Sequence, residues 1–338
     1  MIRPISHERF RVGGPAVPLK PTRSLCRMGV CSLALVVGLA SCERSEQPAS
    51  APQTAGTNAE SSDQAKRIGV TLLTVQHQFY QDLRAGLKDE ADKLGYELLI
   101  TTAEMDSARQ ANQIDELIVQ RVDALVVCPC DSRSVGASIL QANEAGIPVF
   151  TADIASTSPL GAVVCHIASN NRQGGREAAH MLSEAIGGQG EVAVLTHPEV
   201  TSVMDRVAGF KDQIAEQPKI RIVAELSAGG KRERAASVME DLLQSHPELG
   251  GVFAINDDTA LGALAAIEAA GKLGEVKIVG YDATPEAREK IKTGAIYGDV
   301  IQHPRMIGQL TIQAIHDSLS GRVVPEVLPV DVGRFTGD

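Results

Sequence analysis

Carboxylates, amides and imidazoles recur along the 338 residues just past short β-branched runs. His77, Gln78, Phe79 and Tyr80 follow the first run, Cys128 to Asp131 the third, and Asp153 ends the fourth. Farther along come Thr196-His197, Asn256-Asp257-Asp258, Asp282 and Gln302-His303. Two chemistries use such a set. Carboxyls at a fixed separation act as acid and nucleophile on a glycosidic bond, and Asp153, Asp257, Asp258 and Asp282 are the candidates. The same carboxylates beside Arg, Asn and Gln donors saturate a small polyol, whose hydroxyls each donate once and accept twice. Aromatic rings pack on the C–H faces of such a guest. In a chain only 3% aromatic, Phe79 and Tyr80 side by side at a strand end stand out; Phe79 also suits the core face of the helix that follows. Binding needs no set carboxyl spacing, so we read a binding crevice and assign no catalytic residue.

Other chemistries lack their signatures. There is no Gly-x-Ser-x-Gly elbow, P-loop or His-Glu-x-x-His motif, and no Gly-x-Gly-x-x-Gly follows the first strand. No cofactor is expected. Cys128-Pro129-Cys130 has no second cysteine pair to complete a zinc site, so no metal is expected and buried thiols are the reading. A disulfide from Cys165 to one of that pair stays open. His166, His180, His246 and His316 are scattered and read as packing or surface residues.

These residues need elements to hold them. Short apolar runs read as strands over 68–74, 97–102, 124–128, 148–153 and 163–168, and helical periodicity spans 79–94, 107–121 and 135–145. A second series has strands over 191–196, 220–226, 251–256, 276–282 and 295–301. Its helices cover 172–186, 204–216, 232–244, 258–270 and 285–292, and a last helix spans 304–319. Alternating strand and helix means βαβ units and parallel sheets. The stretches Gln141–Asp153 and Ala263–Asp282 repeat one plan: helix, Ala-Gly, apolar strand, Asp. The fold class is therefore α/β, with two doubly wound parallel-sheet lobes. In open parallel sheets ligands bind beyond the carboxyl ends of the strands, where the polar residues fall.

The N-terminus reads as an address. Residues 1–41 hold six basic side chains and one acid, all before an uncharged apolar stretch, the plan of a secretory signal. The run ends Leu39-Ala40-Ser41-Cys42, which resembles a bacterial lipobox with Cys42 as the lipidated residue. Residues 42–65, rich in Ser, Ala, Gln and Pro, read as a flexible tether. Taking residues 1–41 from the chain's 32 basic and 42 acidic side chains leaves 26 and 41, a net of −15. So acidic a body repels phosphate backbones, and no nucleic-acid partner is expected. The membrane is touched through the lipid anchor alone, which places the protein in the periplasm or cell envelope.

Several longer motifs carry a family resemblance: Gln78-Phe79-Tyr80, Glu90–Tyr96, Gly146-Ile147-Pro148-Val149, His166-Ile167-Ala168-Ser169, Asp205–Phe210, Phe253–Leu264 and Val279–Pro285. In order, from about Lys66 to the C-terminus, the chain resembles the periplasmic sugar-binding proteins of ABC importers, most of all the ribose-binding type. The resemblance implies a type I receptor of two lobes joined by a three-strand hinge at Ser169, His303 and Asp331. One lobe would comprise 66–168 plus 303–330, the other 169–302 plus 331–338. It implies a monomer that closes on a small neutral monosaccharide and is then recognised by an ABC permease. A receptor of the same fold that feeds a chemoreceptor or sensor kinase is the alternative. The implied ligand residues are Phe79, Tyr80, Asp153, Arg206, Asn256, Asp282 and Gln302, with His77 beside the aromatic pair. The two aspartates would accept from ring hydroxyls, Arg206 would donate and neutralise them, and Asn256 and Gln302 would bridge hydroxyls. Sugar-responsive repressors share the two-lobed core but need a DNA-binding segment where this chain has its signal and tether.

Four positions depart from the ribose pattern. His77 and Cys128 each stand for an Asn, Ile154 for an Arg after the Asp, and Gly230 for a stacking Phe. Losing a charge-assisted donor to a buried hydroxyl costs ~1–3 kcal/mol, which argues against ribose. Gly230 implies a bulkier ligand or a wetter pocket, and Ile154 a less hydroxylated sugar edge.

Overall fold

The computed structural model describes residues 65–337. The signal segment, Cys42 and all but the last residue of the tether lie outside them. The first half of the described chain runs β1 (Arg67–Leu72), α1 (Gln78–Leu94), β2 (Glu97–Thr102), α2 (Ser107–Val119), β3 (Ala124–Val127), α3 (Gly136–Glu144), β4 (Val149–Ala152) and β5 (Cys165–Ser169). The second runs α4 (Asn171–Ala185), β6 (Gly190–Thr196), α5 (Thr201–Ala215), β7 (Ile220–Ser227), α6 (Arg232–Ser245), β8 (Leu249–Ala254), α7 (Asp257–Ala269), β9 (Lys277–Asp282), α8 (Pro285–Lys292) and β10 (Gly298–Ile301). Then come α9 (Pro304–Leu319), β11 (Val327–Val330) and β12 (Gly333–Phe335).

Two six-stranded sheets result, ordered β11-β5-β4-β3-β1-β2 and β12-β10-β9-β8-β6-β7. The first is wholly parallel; in the second, β12 runs antiparallel to β10. β3 and β4 read Ala-Leu-Val-Val and Val-Phe-Thr-Ala and are buried throughout, as central strands covered on both faces must be. The two sheets share one strand order. In each, the order reverses next to the first strand of the lobe, between β1 and β3 and between β6 and β8. Crevices at such reversals collect ligands.

Local signals account for the helix ends. His77, Asp106, Asn170, Asn256 and Thr284 each cap a helix N-terminus through the side chain. Gly95 ends α1 in the left-handed conformation at φ 72°. Two expectations shift. α5 begins at Thr201, three residues before the apolar periodicity starts, and β11 and β12 are strands outside the apolar runs read from the sequence. β11 is half exposed and holds Pro329, and β12 has only three residues. Both sit at sheet edges, where sequence demands are weakest.

Glycine sets the distance between helices in both lobes. A Cβ on Gly86 of α1 would lie 2.0 Å from the Arg305 carbonyl oxygen of α9, and one on Gly308 of α9 2.4 Å from that of Leu83. The second lobe repeats the device: a Cβ on Gly175 of α4 would lie 1.9 Å from the Arg206 carbonyl oxygen, and one on Gly209 of α5 2.0 Å from that of Arg172. Backbone thus touches backbone where α4 crosses α5, and that contact seats Arg206. Replacing Gly175 with Ala adds ~1 kcal/mol of helix propensity but overpacks a backbone contact. We expect Gly175→Ala to lose about 1–3 kcal/mol net, seen as a lower melting temperature; a raised one would show that the helices part freely.

Candidate functional site

The chain crosses between the sheets three times. Ser169 ends β5 and leads into α4, His303 caps α9 after β10, and Asp331 joins β11 to β12. Between the lobes lies a cavity with about 470 Å³ of atom-free space, open solvent included. His77, Phe79, Tyr80, Asp153, Arg206, Asn256, Asp282 and Gln302 all line it.

Each lobe contributes an aspartate from a strand end, and both carry backbone strain. Asp153, just after β4, has φ 64°, and Asp282, at the end of β9, has φ 113°. Such angles are uncommon outside glycine and persist where the surroundings enforce them. Asp153 donates its N–H to the Ile167 carbonyl at 2.8 Å, while Ile154 donates to that of Ala152 at 2.7 Å. The sharp turn throws the carboxyl into the crevice.

The Tyr80 hydroxyl donates to Asp153 Oδ2 at 2.7 Å, and its ring meets Phe79 edge-on at 5.1 Å. Phe79 lines the cavity and also belongs to the core. Burial pushes Asp153 up to about 6, opposed by Arg206 and by the Tyr80 hydrogen bond. Asp153 Oδ1 is buried with no hydrogen-bond partner among the described residues.

Asp282 is answered from both lobes. Gln302 Nε2 donates to its Oδ1 at 2.5 Å, and His77 Nε2 lies 3.2 Å from its Oδ2. His77 Nδ1 accepts the Phe79 N–H at 3.1 Å, so in the neutral ring the proton sits on Nε2, facing Asp282. Burial raises Asp282, with His77 and Arg206 holding it down. Gln302 leaves its Oε1 buried and unpartnered among the described residues.

Arg206 is 4% exposed. Its Nε donates to Asn171 Oδ1 at 2.8 Å and its Nη1 to the Ile255 carbonyl at 2.7 Å. The guanidinium carbon stands 3.8 Å from the Tyr281 ring centroid, a close cation–π contact. Gly174 makes room for that ring: a Cβ there would fall 1.9 Å from the Tyr281 hydroxyl. Asn256 lines the cavity but is committed to its own lobe. Its Oδ1 accepts the Thr259 N–H at 2.9 Å as a helix cap, and its Nδ2 donates to the Gly230 carbonyl at 3.3 Å.

A second group of polar contacts bridges the lobes. Ser132 donates its N–H to the Glu199 carbonyl at 3.0 Å, and Thr201 donates its N–H to Ser132 Oγ at 3.0 Å. Ala155 donates to Thr201 Oγ1 at 2.8 Å. With His77 on Asp282, these contacts hold the crevice closed.

Sequence reasoning placed His197 at a strand end but gave it no role; it is a wall of the cavity. A Cβ on Gly230 would lie 3.4 Å from His197 Nδ1. An imidazole therefore occupies the room expected to serve a bulkier ligand or water. The apolar wall of Leu73, Met105, Val200, Val203 and Ile255 was invisible in sequence, since nothing separates those residues from ordinary core. Cys128 joins the core cluster and is not among the cavity lining. Cys128, Cys130 and Cys165 are buried free thiols, so the disulfide left open is not formed. Burial pushes Cys128 far up, Cys130 to about 12 and Cys165 to about 11. Among the described residues no three His, Cys, Asp or Glu side chains are grouped to hold a metal, and no helix is long and apolar enough to cross a membrane.

Two carboxylates considered for hydrolysis have structural partners. Arg232 holds Asp258 at 3.1 Å. Asp257 turns into the core, accepts the Thr284 N–H at 2.6 Å and faces Asp299 of β10. Both carboxyls of that pair are fully buried and raised, Asp257 by burial and then by Asp299, and Asp299 by burial to about 7. Asp282 adds to both, Arg288 eases Asp299, and one proton held between the two removes their repulsion. A carboxyl whose folded pKa exceeds its unfolded value favours folding most when protonated. Its contribution is present below about 4 and is lost as pH rises toward about 7. We expect wild-type stability to fall over that window and Asp299→Asn to flatten the fall, by denaturant titration at pH 5 and pH 8. Equal slopes in both proteins would refute the shared proton.

A family model described as a periplasmic binding protein domain matches residues 68–322. The ribose import binding protein of Bacillus subtilis (strain 168) is 35% identical over 278 residues, 82% of this chain and 89% of that one. An ABC transporter periplasmic solute binding protein from Actinobacillus succinogenes 130z, solved with bound D-allose, superposes with a TM-score of 0.74 at 30% identity, covering 80% of this chain and 98% of that one. The fructose binding periplasmic domain of a hybrid two component system superposes at 0.75 and 25% identity, over 80% and 90%.

Proposed function

The chain belongs to the periplasmic binding protein family, as a sugar-binding solute receptor and not an enzyme, and on that premise we propose that it captures a monosaccharide between its lobes for an ABC-type permease. The observation that carries this is a pair of acceptors, Asp153 Oδ1 and Gln302 Oε1, buried at one cavity with no partner among the described residues. Buried acceptors are satisfied in native proteins, and hydroxyl donors of a sugar supply what these lack. A neutral guest suits the crevice: its hydroxyls can donate to Asp153 and Asp282, both raised by burial, whereas an anion would add to their mutual repulsion. Ribose, D-allose and fructose binders among the relatives fit this chemistry without choosing among sugars.

In this reading Cys42 carries a lipid, residues 42–65 form a tether, and a monomeric body works in the periplasm or cell envelope. The lobes are 66–168 plus 303–330 and 169–302 plus 331–338, hinged at Ser169, His303 and Asp331. The fructose-binding relative within a two component system favours a second reading, in which the closed form signals to a sensor kinase.

Thermal-shift measurements against pentoses, hexoses, deoxy sugars and polyols test the assignment, because a ligand bound only by the native state raises the melting temperature. At least one is expected to shift it; silence across the whole set would overturn the sugar reading. Asp282→Ala is expected to abolish that shift while the protein stays folded, since it removes the acceptor on which Gln302 and His77 converge. Undiminished binding in that variant would mean the ligand sits elsewhere.

A further inference from the structure

Resting on that reading, we infer that His197 is a specificity-determining residue: its imidazole reads one ligand hydroxyl as a hydrogen-bond acceptor at the wall where Gly230 offers no side chain. The two loops involved are independent. Gly230 lies between β7 and α6 with φ 66°, and His197 lies between β6 and α5. The Cβ position of residue 230 stands 3.4 Å from His197 Nδ1 and 3.3 Å from Asn256 Nδ2. A Cβ at 230 would already touch the imidazole, and φ 66° disfavours any side chain there, so a large one extending toward His197 would displace the ring that the glycine leaves in place.

The orientation of the ring is set by its neighbours. Nε2 lies 3.4 Å from Glu199 Oε2, and a carboxylate there favours the proton on that nitrogen. Nδ1, on the Gly230 side, is left with a lone pair. Burial favours the uncharged ring, as do Lys231 and Arg234 nearby, while Glu199 works the other way; the net effect lowers its affinity for a second proton. The segment is also fastened, because the Glu199 carbonyl accepts from Ser132 of the other lobe at 3.0 Å. Closure thus presents a fixed acceptor. Asn256, whose side chain is spent on Thr259 and Gly230, cannot supply one from the same side. Ile154 on another wall is apolar and 1% exposed. The favoured guest is consequently a monosaccharide or cyclic polyol with a hydroxyl-poor edge for Ile154 and a hydroxyl donor for His197.

The test compares wild type, His197→Phe, His197→Gln and Asp282→Ala by calorimetry. The probes are D-ribose, D-allose, D-fructose and myo-inositol, together with the monodeoxy analogues of whichever binds wild type best. Wild type should prefer the parent over one particular monodeoxy analogue by about 10–100-fold, the cost of leaving a buried acceptor unmatched. His197→Phe should reduce that ratio to about one, and His197→Gln, which keeps an acceptor, should restore much of it. The same preference in His197→Phe as in wild type would overturn the inference, and loss of binding in Asp282→Ala verifies that the crevice is being read. A ligand-free measurement decides independently. Imidazole ¹⁵N shifts, with the His197 signals assigned by their loss in His197→Gln, should show a neutral ring at pH 7 protonated on Nε2. A charged ring or an Nδ1–H tautomer would overturn the role even if no probe binds, an outcome that would separately remove the sugar assignment.

Discussion

Asp153, Arg206 and Asp282 carry charge in a crevice almost sealed from water, with Asp153 and Arg206 each only 4% exposed. Removing an ion from water costs several kcal/mol unless partners replace its hydration, and every neighbouring feature serves that replacement. Tyr80 gives its hydroxyl to Asp153, Gln302 and His77 converge on Asp282, and Asn171, Ile255 and Tyr281 surround Arg206. Two acceptor atoms at the crevice, Asp153 Oδ1 and Gln302 Oε1, are left without a partner among the described residues. A receptor gains from such a deficit, because free energy withheld by the empty crevice is released when a hydroxylated guest completes it. Fully satisfied walls would hold the lobes together and bind nothing.

The partners come from both lobes, so closure and charge compensation are one event. His77 belongs to the first lobe and Asp282 to the second, and Ser132 and Ala155 grip the turn at Glu199 and Thr201. A ligand shifts the balance between open and closed forms only through contacts it makes in one of them. Groups shared across the crevice are where such contacts arise. The paired glycines of each lobe serve this end indirectly, since the α4–α5 crossing fixes the backbone from which Arg206 projects.

Much of this was legible in the sequence. Strand ends in parallel sheets are marked by apolar runs that stop at a polar residue, so Asp153, Asn256 and Asp282 announced themselves. Arg206 did not, for it sits within a helix and reaches the crevice sideways; only the family resemblance supplied it. His197 was visible as a strand-end residue, yet its role depends on a glycine thirty-three residues later, and no local pattern links the two. Asn256 shows the opposite failure. Its type suits a hydroxyl, but the same oxygen suits a helix N-cap, and the backbone claimed it. The Asp257–Asp299 pair was hidden because each aspartate alone looks like a surface or site residue.

One topological detail bears on the order in which the chain folds. β11 pairs with β5 and α9 packs on α1, while β12 pairs with β10. The final thirty or so described residues therefore finish both sheets. A polypeptide emerging N-terminus first cannot close either half until that stretch is synthesised, and contacts so distant in sequence form slowly. With completion of both halves deferred to the last strands, neither sheet reaches its full width before the chain is whole.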